Sequence, residues 1–232
     1  MDSSRPSPPA EGAEPLRRGG LSLRVILALV VILAIAGGVA ILTSGKSSSG
    51  LSAGSLHGVK SASYDGSLLT PAQPTPPLSL RNYLGEAVNI DQYRGKAVLV
   101  TFLYTNCPDV CPIITSNLRV AQNLMGPAEA SKLQVIAVSV DPRGDTPKAV
   151  AAFLARHEMT GRMKYLIGSA QQLGHVWKAW DVGSERDAQQ PQLVNHSGLV
   201  YGVSASGKMT TLYPANFLPK EIAHDVPLLA ST

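Results

Sequence analysis

Residues 97–112 read AVLVTFLYTNCPDVCP. The first eight, Ala97–Tyr104, carry no charge and are rich in apolar and β-branched side chains. That is the pattern of a strand buried on both faces of a sheet. Cys107 and Cys111 follow at once, the only two cysteines in 232 residues, and each is followed by proline. Beyond them Ile114, Leu118, Ala121 and Leu124 repeat at helical spacing until Gly126-Pro127. The stretch is therefore a buried strand, a loop with two thiols and a helix, with the thiols just outside the carboxyl end of the strand. Open α/β sheets place their functional groups there.

The pattern continues on both sides. Leu78–Ile90 alternates around a glycine and reads as a short hairpin, and Asp91–Lys96 as a turn. Leu133–Val140 is a second buried strand, closed by Asp141-Pro142. Thr146-Pro147 opens a helix, with threonine as N-cap and proline at the first helical position, that runs to about His157. Lys164–Ile167 is a short strand, and Ser169 caps a helix that runs through Trp180. Leu193–Ser204 and Lys208–Leu212 pair around Ala205-Ser206-Gly207, and Pro219–Leu229 is a last helix. Strands alternating with helices predict an α/β fold with a central mixed sheet, largely parallel with an antiparallel pair at its end, flanked by helices. Two cysteines between the first long strand and its helix make the expected fold thioredoxin-like.

The N-terminal region differs in character. Residues 1–20 are rich in Pro, Gly, Ser and Arg and read as a disordered cytoplasmic tail. From Val25 to Leu42 there is no charge, so 21–42 is read as a transmembrane helix. Arg17, Arg18 and Arg24 precede it and Lys46 follows, which places the N-terminus in the cytoplasm and the rest outside. A cleaved signal peptide is the rival reading, with Ala34-Ile35-Ala36 as a cleavage option. Residues 43–73 are read as a linker, Gly/Ser-rich at first, and 74–229 as the folded domain. The expectation is a single-pass cell-membrane protein, monomeric, with its domain extracytoplasmic. Net charge is +4, without a basic stripe interleaved with aromatics, so nucleic acid is not an expected partner.

An extracytoplasmic thiol pair becomes a disulfide unless a reductant or a metal intervenes. A stabilising bridge is a weak explanation, because closing so small a loop removes little entropy from the unfolded chain. The helix after the loop points its N-terminus at the sulfurs and favours thiolate. Thiolates attack disulfides, and they are also the soft ligands that suit Cu(I). The CxxxC spacing allows a redox disulfide between Cys107 and Cys111 and also lets both sulfurs converge on one ion, which would then call for a third ligand. His57, His157, His175 and His224 read as surface or satisfied histidines. The methionines are scattered rather than grouped into a copper-binding box.

Three segments in order carry a resemblance. TFLYTNCPDVCP (101–112), VSVDPRGDTP (138–147) and NHSGLVYGVSASG (195–207) together resemble the Sco/SenC family, membrane-anchored thioredoxin-like copper proteins of cytochrome c oxidase assembly. The resemblance implies copper, as Cu(I) or Cu(II), held by Cys107, Cys111 and His196. It also implies a supporting or loop-ordering role for Asp141. Asn195 stands where the family commonly has aspartate, beside the histidine. Asp145 and Thr146 are read as helix-start residues. The implied function is a metallochaperone that delivers copper to the dinuclear copper centre of cytochrome c oxidase. The implied partners are that copper-centre subunit, other copper chaperones and thiol reductants. The alternative is a thiol-disulfide oxidoreductase in which Cys107 attacks and Cys111 resolves. His196 separates the two, since disulfide exchange has little need of it.

Overall fold

The structure, a computed structural model, describes residues 63–190 and 193–232. The segments expected as a tail, a transmembrane helix and a linker, up to residue 62, lie outside the described residues. Among those described, no helix is long and apolar enough to cross a membrane.

Among the described residues, ten strands and four α-helices follow one another, with a short 3-10 helix at Ile90–Tyr93 between the third and fourth strands. They are β1 (Ser67–Pro74), β2 (Ser79–Asn82), β3 (Ala87–Asn89), β4 (Ala97–Leu103), α1 (Val110–Ala130), β5 (Leu133–Ser139), α2 (Pro147–Arg156) and β6 (Lys164–Ile167). Then come α3 (Ala170–Ala179), β7 (Ser184–Arg186), β8 (Val194–His196), β9 (Leu199–Val203), β10 (Lys208–Pro214) and α4 (Pro219–Ala230). Eight strands form one sheet in the order β1-β10-β9-β4-β5-β6-β2-β3, and β7 and β8 form a separate two-stranded ribbon. Only β4, β5 and β6 run parallel; the other pairings are antiparallel. The mixed thioredoxin-like sheet is thus less parallel than the alternation of elements suggests, because hairpins extend it on both sides.

Every residue of β4 is buried. One face of the sheet is covered by α4, whose Leu229 packs against Gly202 of β9, and by α1, which lies on α4. The other face takes the end of α3, where Trp180 packs against Phe102 and Tyr201. α1 continues past its expected end, but Gly126 at φ 73° breaks it before Pro127. The domain also begins earlier than residue 74. Residues 67–74 pair with β10 as an edge strand, with an irregular register between Leu68 and Gln73. Pro71 and Pro74 are tolerated because an edge strand need not donate on both sides.

Candidate functional site

The register of the sheet assembles the site. β5 runs parallel to β4 with Leu103 opposite Ser139, so the turn after β5 lies beside the cysteine loop. β9 runs antiparallel to β4 with Val200 opposite Thr101, so the start of β9 reaches the same end. The Thr101 hydroxyl donates to the Leu199 carbonyl there, at 3.0 Å. His196 is three residues upstream of Leu199. Residues about ninety positions apart in sequence therefore meet at the carboxyl end of one buried strand.

Both cysteines are free thiols and both are buried, Cys111 completely. The helix places them. Asp109, at the N-cap position of α1, makes no side-chain cap. The Cys107 sulfur accepts the Cys111 backbone N–H instead, at 3.4 Å. Cys107 is thus held by an otherwise unpaired donor at a helix start, and negative charge on it is favoured. Its pKa falls well below the ordinary thiol range, to about 4, chiefly because the Cys111 thiol donates to it. The backbone N–H groups of Asp109 and Cys111 add to that, against the cost of burial. Cys111 moves the opposite way, pushed far up by its hydrogen bond to Cys107 and by burial. The pair therefore holds one negative charge readily, on Cys107, and resists a second. A cation between the sulfurs would remove that resistance.

The His196 Nε2 stands 3.8 Å from the Cys111 sulfur. Its Nδ1 lies 3.1 Å from the Ser197 carbonyl. A carbonyl oxygen only accepts, so Nδ1 carries the proton and the Nε2 lone pair is left facing the thiols. The buried Tyr104 ring packs edge-on against the imidazole, with ring centroids 5.8 Å apart. Nitrogen and sulfur ligands at roughly 2.0–2.3 Å from one ion stand about 3.5–3.8 Å apart, so the His196–Cys111 separation suits a shared metal. A cleft of about 280 Å³ opens above these groups, lined by Cys107, Pro108, Leu193, Asn195 and His196 among others.

Of the other expected site residues, Asn195 lines that cleft and Asp141 lies in the turn after β5. Asn195 is exposed and sits opposite Glu185 in the ribbon. Successive strand residues face opposite sides, and the imidazole Nδ1 is turned to the Ser197 carbonyl. Asp141 is buried, accepts the Arg143 N–H at 3.1 Å and is ion-paired with Arg186 of β7.

Asp145 is more than a helix-start residue. Thr146 alone caps α2, accepting the Ala149 N–H at 3.2 Å. Asp145 is buried and takes the Thr105 N–H at 2.8 Å, the Ser139 hydroxyl at 2.6 Å and the Tyr165 hydroxyl at 2.9 Å. It fixes the cysteine loop from beneath. Burial raises its pKa, with those hydrogen bonds working against the rise. Sequence reasoning missed Asp145 in this role, as it missed Tyr104. The one available signal was that both lie within quoted motifs.

The tightest grouping of metal-ligating side chains among the described residues is elsewhere, at Asp65, His224 and Asp225. There the Asp225 oxygens already accept from the Asp65 and Gly66 N–H groups, the Tyr213 hydroxyl and the His224 ring. That set ties the start of the domain to α4 and leaves Asp225 little capacity for an ion.

Residues 68–231 match the sequence family described as SCO1/SenC. The mitochondrial SCO2 homolog of Bos taurus is 31% identical over 139 residues, 58% of this chain and 52% of that protein. The mitochondrial SCO1 homolog of Homo sapiens is 26% identical over 154 residues, 65% of this chain and 50% of that one. The chain thus spans about half the length of these curated relatives. Apo Sco1 from Thermus thermophilus superposes with a TM-score of 0.64 at 25% identity, covering 73% of this chain and 99% of its own. Copper-bound ScoI from Bradyrhizobium japonicum does so with 0.59 at 27% identity, covering 68% and 99%. With a matched segment that takes in the whole sheet, its helices and the cysteine loop, the chain belongs to the SCO1/SenC family.

Proposed function

We propose that this protein is a copper-binding metallochaperone that carries copper to the dinuclear copper centre of a cytochrome c oxidase during its assembly. The carrying observation is the Nε2 of His196 beside the Cys111 sulfur, with its tautomer fixed by the Ser197 carbonyl. Disulfide exchange needs no such imidazole; a two-thiolate copper site gains its third ligand from it. The copper-bound Bradyrhizobium japonicum relative supports this reading. In this proposal Cys107, Cys111 and His196 hold the ion, which is cargo. Ser197 and Tyr104 orient the imidazole, and Asp145 and Asp141 hold the loops. The cleft over Cys107 and His196 is where a partner's ligands would enter and displace them one at a time. The segment 21–42 would tether the domain on the outer side of the membrane, next to a membrane-bound oxidase.

A second reading has its own observation. Both thiols are free, and Cys107 is held as thiolate at a helix start above a protonated Cys111. That arrangement suits attack on a partner disulfide, with Cys111 then closing the bridge and releasing a reduced partner. The test uses the full chain and the soluble domain of an oxidase copper-centre subunit. Cu(I)-loaded protein mixed with the reduced, metal-free subunit should leave its copper on the subunit, read as copper content after the two are separated, and His196→Ala should not. Metal-free reduced protein mixed with the oxidised subunit tests the second reading. If only the second mixture reacts, and does so equally with His196→Ala, the protein is an oxidoreductase and not a chaperone.

A further inference from the structure

The cysteine loop belongs to the main sheet, whereas His196 lies on the separate β7–β8 ribbon. No ladder of sheet hydrogen bonds joins the two. The ribbon is instead tied at β7. The Ser184 hydroxyl donates to the Val140 carbonyl at 3.1 Å, and Arg186 pairs with the carboxylate of Asp141. Arg186 lies opposite Val194, two residues from His196, while Ser184 lies opposite His196 itself. Asp141 is 4% exposed, so its pair with the half-buried Arg186 is shielded on one side from water. Such a pair constrains more than an exposed one does.

Asp141 also connects to the thiols. Its backbone carbonyl accepts the Asp145 N–H at 2.9 Å, and the Asp145 carboxylate accepts the Thr105 N–H at 2.8 Å, two residues before Cys107. The 141–145 turn therefore touches both pieces of chain that carry the candidate ligands. Its packing leaves little slack. A Cβ on Gly144 would lie 2.4 Å from the Asp141 Oδ2, so the carboxylate occupies space that only glycine leaves open.

We propose that Arg186, through Asp141, is the positioning residue that holds the His196 ribbon against the dithiol and so sets the Cys–His separation. Arg186 acts through the Asp141 carboxylate, by removing the ribbon's freedom to lift. This rests on the reading of His196 as the third ligand, and the experiment keeps the two claims apart.

The full-length reduced chain is titrated anaerobically with Cu(I) against a competing chelator. Wild type is compared with Arg186→Ala, Arg186→Lys, His196→Ala and the double variant Arg186→Ala/His196→Ala. Arg186→Ala should weaken copper binding by about 10- to 100-fold, the usual loss when a ligand's supporting contact is removed. Arg186→Lys should restore most of it, because an ammonium keeps the positive charge opposite the Asp141 carboxylate. The double variant should bind no more weakly than His196→Ala alone, since the effect passes through that ring. In metal-free protein, the nuclear Overhauser contact between the Tyr104 and His196 rings should be present in wild type and Arg186→Lys and lost in Arg186→Ala. Unchanged affinity in Arg186→Ala alongside weakened binding in His196→Ala would overturn the proposal. So would additive losses in the double variant. If His196→Ala itself binds copper like wild type, the ligand reading fails, and the metal-free ring contact alone decides. Its loss in Arg186→Ala sustains the positioning role and its persistence refutes it.

Discussion

Replacing Asp145 with alanine removes the acceptor of three buried hydrogen bonds at once: those from the Thr105 N–H, the Ser139 hydroxyl and the Tyr165 hydroxyl. A buried donor left without a partner costs about 1–3 kcal/mol, so three would cost roughly 3–9 kcal/mol if nothing relaxed. Two terms reduce that. The hydroxyls can turn toward other acceptors, and the variant no longer pays for burying a carboxylate, whose burial raises its pKa. A net loss of about 3–5 kcal/mol is expected, as for other broken buried networks. At 2–4 °C per kcal/mol for a chain of this size, the melting temperature should fall by roughly 6–20 °C. Asp145→Asn keeps one oxygen for the Thr105 N–H and offers the two hydroxyls an amide, so it should lose only about 1–2 kcal/mol. The sign of the pH dependence follows from the raised pKa. Stability from Asp145 is fully present below the unfolded carboxylate's pKa and is lost as pH rises through the folded value. Relative to the non-titrating Asn variant, wild type should therefore be most favoured near pH 4 and lose that advantage as pH rises. Urea unfolding of the three proteins from pH 4 to 7 measures both effects. An Ala variant within about 0.5 kcal/mol of wild type, in the range of neutral surface changes, would refute the reasoning. So would an Asn variant as damaged as the Ala variant, or a gap that widens with pH.

Three further outcomes are expected. Cys107, with its pKa near 4, should be alkylated by iodoacetamide at pH 5–6, where ordinary thiols are silent. Cys111→Ala should slow that reaction at low pH, since the Cys111 thiol is the main stabiliser of the thiolate. Thr146→Ala should destabilise the domain by about 1 kcal/mol in urea unfolding, the usual cost of a lost N-cap, without altering alkylation. The His224 pKa is raised, first by its hydrogen bond to Asp225. That contribution is present below the free-histidine value and fades as pH rises through the folded one, so a decline in melting temperature between pH 6 and 8 should flatten in His224→Ala.

The strand, cysteine loop and helix were legible because Ala97–Tyr104 holds no charge and is buried on both sides, so its composition reports its place directly. β1 was not legible. Its residues are mostly exposed and include two prolines, so neither alternation nor propensity marks it, and long-range pairing with β10 makes it a strand. The segment Leu193–Ser204 reads as one strand but divides into β8 and β9 at Ser197-Gly198, where a Cβ on Gly198 would press on Ala215 at 3.2 Å. That break turns β8 out of the main sheet and gives His196 its neighbours. Cys107 and Cys111 announced themselves by type and spacing. His196 could be picked out only through its motif, because no local periodicity distinguishes it from the other histidines. Asp145 was misplaced for a physical reason: Asp-Thr-Pro has two residues able to cap a helix, and sequence alone does not say which one turns inward.

The central claim is that two sulfurs and one imidazole nitrogen share one copper ion. X-ray absorption at the copper edge, on the reduced full-length chain loaded with one equivalent of Cu(I), tests it most directly. Two sulfur ligands and one nitrogen with imidazole scattering are expected, with loss of that nitrogen in His196→Ala. A spectrum of two sulfurs alone, unchanged by His196→Ala, would contradict it.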